Sequence, residues 1–316
     1  MEVSYKKKKY FINKIKEIFK RLIKFSILFI NLFFLLIITF RMIFELKILL
    51  CTVAKEENRY IKEFVNHYKK MKIKKIIIYD NNDIKGENFK DILKEDIQNN
   101  FVEVINYRGI ERPQKKALKD CYENNNKSYD WIAFYDVDEF LYIVNYTNIK
   151  NFLALPKFKN CQSILINWKY YGDNNKLYYE PKPLNERFTK PFYFKNKTKP
   201  NLYFSAAKTI VRGGLNIKWG LLPHYLKNTI NCKADGKIIN NYLSPPQFSL
   251  AYIKHYITKS TEEFAEKLKR GDVLLKVNDK YIRNRINNYY FIFNTKTKDK
   301  IKLFNVKLQY KNNTKK

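Results

Sequence analysis

An α/β protein with a mostly parallel sheet and helices on both faces is the fold that this 316-residue sequence predicts. Three observations predict it. Apolar runs of strand length alternate with amphipathic runs of helix length from Leu46 to Tyr135. The connections between them are short. Acidic residues, namely Glu56/Glu57, Asp80 and Asp136/Asp138, fall at the carboxyl ends of the apolar runs, where sheets of this kind bind their ligands.

The elements follow in order. Leu46 to Val53 reads as a strand. Asn58 to Lys70 carries Tyr60, Ile61, Phe64, Val65 and Tyr68 at helical spacing. Ile73 to Tyr79 is a second strand, ended by the turn cluster Asp80-Asn81-Asn82-Asp83. Phe89 to Ile97 is helical, and Phe101 to Ile105 is a short strand. Pro113 opens a helix reaching Asn124, because a proline at a first turn loses no helical hydrogen bond. Trp131 to Tyr135 is the fourth strand. After Asn148 the rhythm changes. Ser163 to Trp168 and Lys208 to Val211 read as strands, and Asn174 to Pro200 reads as a loop-rich stretch over the site. Thr258 to Arg270 reads as a helix, with Ser260 as N-cap and Glu263 completing a capping box. The tail beyond Tyr281 is basic and aromatic.

The stretch Tyr129 to Phe140 carries the chemistry. It is a buried-type strand that ends in the carboxylates Asp136, Asp138 and Glu139. Asp136 and Asp138 lie two apart, so in extended backbone they project to one side. Carboxylates at the end of an apolar strand need a positive partner. A hard divalent cation holding a phosphorylated ligand fits that need. The EF-hand alternative lacks its 12-residue spacing.

Composition adds bounds. The 45% hydrophobic content suits a folded chain, and 62 Lys and Arg against 30 Asp and Glu give a formal charge of +32. That charge points to an anionic partner, although a chain crowded with Lys, Asn, Ile, Tyr and Phe also fits coding DNA rich in A and T. Nucleic acid is not expected as the partner. The basic residues are spread along the whole chain, and the acidic strand ends would repel a phosphate backbone. Cys51, Cys121, Cys161 and Cys232 form no CxxC pair, so a zinc knuckle is not expected. Buried free thiols in a reducing compartment are the expectation.

At the amino terminus, the basic run Lys6 to Lys9 precedes Phe11, Ile15, Ile18, Phe19 and Leu22 at helical spacing among lysines. This is the pattern of a helix lying on an anionic membrane surface. Phe25 to Phe40 is nearly all apolar but short of the roughly 20 residues of a span. A transmembrane anchor and an interfacial helix both remain open. An uncleaved signal sequence is set aside, because no small-residue cleavage site follows. The expected organisation is an anchoring segment over 1–44, a globular domain over 45–275 and a basic aromatic extension over 276–316.

Several blocks, taken together and in order, resemble glycosyltransferase family 92 and its bacterial family-2-like relatives. They are Lys55 to Tyr60 with Glu63-Phe64, Ile78 to Asn81, Gln114 with Asp120-Cys121, and Trp131 to Phe140. Asn167-Trp168 with Tyr171-Gly172, Glu186-Arg187-Phe188, Lys208 to Val211, and His255 to Phe264 complete the set. The chain departs from the pattern at Glu56 and at Asp173-Asn174, which bears more on acceptor than on nucleotide contacts. The resemblance implies a GT-A fold, Rossmann-like in its nucleotide-binding sheet, with a DxD motif and Mn²⁺ or Mg²⁺. It implies transfer, inverting in the expectation, of a hexose from a nucleoside diphosphate sugar such as a UDP-hexose to a glycan or glycolipid acceptor.

On that resemblance, Asp138 binds the metal directly and Asp136 binds it through water or meets the ribose, with His255 as a third ligand or a diphosphate contact. Glu57 and Asp80 take the base and ribose positions, Gln114 joins the donor site, and Lys259 meets a phosphate. Glu186 is the first choice for the catalytic base and Asp173 the second. His224 is a further candidate at the metal or phosphate, while His67, in mid-helix, reads as structural. The expected location is the cytoplasmic face of a bacterial membrane, or a Golgi type II arrangement in a eukaryote. Two readings compete with the enzyme: a basic nucleic-acid-binding protein and a membrane-tethered, non-catalytic binding module.

Overall fold

The computed structural model describes residues 17, 19–31, 33, 45–192, 205–221, 223–271 and 279–309. The chain divides into two compact units, Met1–Glu45 and Leu46–Lys316. In the first, residues 19–31 are helical and every described side chain is exposed, Phe25 at 73% and Phe29 at 68%. No helix among the described residues is long and apolar enough to cross a membrane. The basic run Lys6 to Lys9, the apolar positions Phe11, Ile15 and Ile18, and the stretch 34–44 lie outside the described residues.

The second unit is a mixed α/β structure around a large sheet. Its elements are β1 (Ile48–Ala54), α1 (Asn58–Lys70), β2 (Lys75–Asp80), α2 (Phe89–Ile92), α3 (Lys94–Gln98), β3 (Val102–Asn106), α4 (Gln114–Asn125), β4 (Trp131–Phe134) and β5 (Glu139–Ile143). Then come α5 (Ile149–Leu153), β6 (Ser163–Tyr170), α6 (Leu184–Arg187), β7 (Ala207–Arg212), β8 (Lys218–Leu221), β9 (Tyr225–Lys227), β10 (Asn231–Lys233), β11 (Ile238–Ile239) and β12 (Ala251–His255). The chain continues through α7 (Thr261–Arg270), α8 (Asp279–Arg285), a π-helical turn (Ile286–Tyr290), α9 (Phe291–Phe293) and α10 (Lys298–Gln309).

The main path of the sheet runs β11-β10-β6-β7-β4-β1-β2-β3, with β12 pairing both β5 and β6. Strands β4, β1, β2 and β3 are parallel, as the alternation predicts. The rest is mixed: β7 enters antiparallel between β4 and β6. The long loop between β6 and β7 brings the chain back in the opposite direction, whereas the first four strands are joined by crossover helices.

Period-2 alternation sends the residues of each parallel strand to opposite faces. Ile48, Leu50, Ile76 and Ile78 pack in one cluster with Ile61, Phe64 and Val65 of α1. Leu49, Cys51, Ile77 and Tyr79 pack in another with Ala117, Leu118 and Tyr122 of α4. Both faces are covered, which is why these strands read as unbroken apolar runs.

One expectation is corrected. The cysteines are not free thiols: Cys51 is bonded to Cys121, and Cys161 to Cys232. The partners stand 70 and 71 residues apart in sequence, but the sheet face of β1 meets the buried face of α4. Spacing along the chain does not report that contact. The described part of the basic aromatic tail is helical and packs on the domain. Tyr290 and Phe304 pack on Phe264 and Leu268 of α7.

Candidate functional site

A cavity of about 700 Å³ opens at the carboxyl ends of β1 and β4. Val53, Glu57, Asn81, Gln114, Asp136 and Asp138 line the side formed by the parallel strands and their connections. Trp168, His224 and His255 line a second side. Phe264, Lys267, Leu268 and Arg270 of α7, with Tyr281, Arg285 and Tyr289 of the carboxy-terminal helices, form a third.

The acidic turn after β4 places its carboxylates in different company. Asp136 Oδ2 lies 2.7 Å from Lys208 Nζ, and its Oδ1 accepts from Gln114 Nε2 at 3.4 Å. Asp138 is 5% exposed. Its Oδ2 lies 2.8 Å from Lys267 Nζ and its Oδ1 lies 3.6 Å from His255 Nε2. Burial by itself raises the Asp138 pKa, but Lys267, His255 and Lys259 outweigh it and hold the carboxyl well below its usual range. Glu139 is fully buried, with Oε2 accepting from the Asp136 backbone N–H at 3.0 Å. Burial pushes its carboxyl well above the usual range.

Asp138, Glu139 and His255 each offer one ligand atom, and these atoms lie within 4.8 Å of one another. Glu139 Oε1 and His255 Nδ1 are buried without a hydrogen-bond partner. An orphaned buried carboxylate oxygen is costly, and a hard cation relieves it. The residues present therefore fit a divalent cation. Strand pairing explains the grouping: β12 runs antiparallel to β5, with His255 in register with Glu139. Sequence reasoning named Asp138 and His255 as candidate ligands but not Glu139, the third member of this group. The Val137-Asp138-Glu139 run was the available signal. Asp136, also expected at the metal or the ribose, lines the cavity outside this group, with its carboxylate on Lys208 and Gln114.

The other expected residues divide. Glu57 lines the cavity; its Oε1 lies 2.6 Å from Arg270 Nη1, and its Oε2 has no hydrogen-bond partner. Lys259 is buried, with Nζ 3.9 Å from Glu57 Oε2, 4.0 Å from Asp138 Oδ2 and 4.2 Å from the centre of the Tyr60 ring. Burial lowers its pKa. Asp80 does not line the cavity: its carboxylate accepts from Arg108 Nε at 2.9 Å and from the Asn82 backbone at 3.0 Å. Its neighbour Asn81 lines the cavity instead.

Neither candidate base reaches the cavity. Glu186 is exposed on α6. Asp173 is 2% exposed, and its Oδ2 is closed by Tyr290 Oη at 2.5 Å and Lys300 Nζ at 2.6 Å. The active member of the Glu186-Arg187-Phe188 block is Arg187, which forms a bidentate pair with Glu263 at 2.8 and 3.0 Å. The two groups that close Asp173 lie more than 100 residues downstream, beyond the reach of local pattern. His67, read as structural, donates from Nε2 to the Leu141 carbonyl at 2.9 Å and lies off the cavity.

His224 does line the cavity. Its Nδ1 lies 2.8 Å from the Ala207 carbonyl. A carbonyl only accepts, so Nδ1 carries the proton and Nε2 the lone pair. Burial and Lys208 lower its pKa to about 4, so it is neutral at pH 7.

The chain matches no curated protein. Among solved structures, S. aureus TarS is similar at 15% identity and a TM-score of 0.39, with 78% of this chain and 44% of that chain covered. This chain thus spans less than half the length of that one. A TarS fragment in complex with UDP is similar at 14% identity and a TM-score of 0.39, covering 81% and 78%. The same fragment in complex with UDP-GlcNAc is similar at 14% and 0.36, covering 84% and 81%. Residues 50–290, the span that builds the sheet, the acidic cluster and the cavity wall, match the family model of glycosyltransferase family 92. The chain belongs to glycosyltransferase family 92.

Proposed function

We propose that the protein transfers a hexose from a nucleoside diphosphate sugar, a UDP-hexose in the first instance, to a glycan or glycolipid, with Mn²⁺ or Mg²⁺ at Asp138, Glu139 and His255 in a GT-A arrangement. The observation that carries this reading is the three-ligand cluster, with its orphaned Glu139 oxygen, at the base of a cavity at the strand ends. When bound there, the cation neutralises charge that develops on the departing diphosphate. Lys267 and Arg270 border the same cavity and add positive charge. Asp136, held by Lys208 and Gln114, is the carboxylate proposed to meet the ribose, and Glu57 the base. Trp168 offers an aromatic face to a sugar ring.

The proposed stereochemical outcome is inversion. His224 is the cavity residue proposed to take the acceptor hydroxyl's proton at Nε2, since Glu186 and Asp173 lie away from it. A low basicity in the resting fold suits this role only once the entering ligands raise it, and product anomeric configuration by NMR checks the outcome.

The test of the central reading is Asp138→Ala. Expected is loss of sugar transfer and of Mn²⁺-dependent UDP binding, with the melting temperature of the unliganded protein retained within a few degrees. Undiminished turnover by that variant would remove the metal role. A further element of the proposal is location. The amino-terminal helix, exposed and apolar with Lys20, Arg21 and Lys24 among its residues, is proposed to associate with an anionic membrane surface. The two disulfides favour an oxidising compartment for the catalytic unit, as in the Golgi type II arrangement.

A further inference from the structure

The acidic cluster is already paired with lysines. Asp136, Asp138 and Glu139 face Lys208, Lys259 and Lys267: Lys208 lies 2.7 Å from Asp136 and 3.6 Å from Glu139, and Lys259 and Lys267 lie 4.0 and 2.8 Å from Asp138. A divalent cation entering beside these three lysines adds positive charge where positive charge already sits. Either a cation leaves or an anion arrives. The three lysines are not equally able to leave. The side chains of Lys208 and Lys259 are 1% and 6% exposed, walled in by their partners. That of Lys267 is 32% exposed and borders the cavity. Its ammonium also makes a long contact, 3.4 Å to the Ile257 carbonyl. Arg270, the neighbouring cation on α7, is pinned by Glu57 Oε1 and the Lys55 carbonyl, both at 2.6 Å.

We propose that Lys267 is an internal counter-ion, displaced from Asp138 by the divalent cation and received by the incoming diphosphate, so that metal and nucleotide bind as a coupled pair. This rests on the metal-assisted reading above and adds an order to it. With Lys267 on Asp138, the cation must break a close ion pair to bind alone. With a diphosphate in the cavity, the ammonium has a second anionic partner within the sweep of its four-carbon stem, and the opposing charge is relieved. Thermodynamic reciprocity then requires the nucleotide to tighten the metal by the same factor as the metal tightens the nucleotide. Lys267 is thus a positioning residue: it acts through Asp138 and the diphosphate, and makes or breaks no bond of the reaction.

The test is Mn²⁺ binding, read by the electron paramagnetic resonance of the free ion, with and without UDP, for the wild type, Lys267→Met, Lys267→Arg and Asp138→Asn. Expected is that Lys267→Met binds Mn²⁺ alone about tenfold more tightly than the wild type, within the usual range of coupling between sites. UDP should then enhance Mn²⁺ binding by a correspondingly smaller factor. Lys267→Arg keeps the charge and should restore wild-type behaviour, which a merely structural lysine would not require. If Lys267→Met binds Mn²⁺ alone no better than the wild type while Asp138→Asn abolishes binding, the metal site stands and the exchange is refuted. If Asp138→Asn binds Mn²⁺ as the wild type does, the metal reading itself fails and takes the exchange with it. Should the Met variant not fold, Lys267→Gln removes the same charge and the same comparison decides.

Discussion

Replacing Arg187 by Met should unfold this protein's stability more than any single change in the cavity lining. Arg187 reaches from α6 to α7 and grips both oxygens of Glu263 at 2.8 and 3.0 Å, with both side chains 1% exposed. Glu263 also accepts from Tyr60 Oη at 2.5 Å and closes the capping box by accepting from the Ser260 backbone at 3.0 Å. Burial alone would raise its pKa; Arg187, Ser260 and Tyr60 together take it from 4.5 to about 2. That difference corresponds to about 3 kcal/mol at 1.36 kcal/mol per pKa unit. Removing one partner of a buried pair independently costs about 3–5 kcal/mol, because the other charge is left without compensation. Arg187→Met should therefore lose about 3–4 kcal/mol in urea unfolding at pH 7. Arg187→Met/Glu263→Gln should recover part of it, since neither buried charge remains. The pH sign follows from the lowered folded pKa: this stabilisation is complete above about 4.5 and is lost as pH falls through about 2. A loss below about 1 kcal/mol, the range of an exposed pair, or strict additivity in the double variant, would refute the account.

Other outcomes follow from the same contacts. Reducing the two disulfides should lower unfolding free energy by about 4 kcal/mol for each loop of this length, read as a lower urea midpoint in dithiothreitol. Glu186→Ala should leave both the urea midpoint and transfer unchanged, whereas Asp173→Ala should lose about 3–5 kcal/mol by stranding buried Lys300; equal effects would contradict their placement. Gly213→Ala should cost at least about 1–3 kcal/mol, since an added Cβ would sit 1.9 Å from the Tyr129 carbonyl oxygen. Acid should begin to destabilise the fold below pH 6.5, with the histidine part of the loss complete near 4 and the Glu263 part following below 4.5. Burial lowers the His67 and His224 pKa values from 6.5 to about 4, so the unfolded chain binds their protons first.

Local periodicity made the parallel half of the sheet legible. Asn58–Lys70 shows its buried stripe directly, and the Ser260/Glu263 capping box sits where its residue types place it. The acidic turn was legible because carboxylates at the end of an apolar strand need a partner. What the sequence hid was long-range company. Asp136 reads like Asp138, yet Lys208 arrives from β7, 72 residues on, and gives it an ion-pair partner that local pattern does not show. Asp80 has the right position, but Arg108 covers it. Asp173 has the right chemistry, but the carboxy-terminal segment buries it. Cys51 and Cys121 look like ordinary core residues until β1 and α4 are brought face to face. In each case a solvated or free group in the sequence was claimed by a residue whose approach only the fold determines.

With Cys51 bonded to Cys121, β1 cannot slide along α4, and these are the elements that lead into Glu57 and begin at Gln114 on the parallel-strand side of the cavity. The bond ties the two elements of that wall together before any ligand arrives, which lowers the entropy left to be lost on association. A nucleotide should meet this face as a rigid receptor. Calorimetry should then show a heat-capacity change set by the buried ligand surface rather than by coupled folding, and reduction of the bond should weaken donor binding through a larger entropic penalty even at temperatures where the protein stays folded.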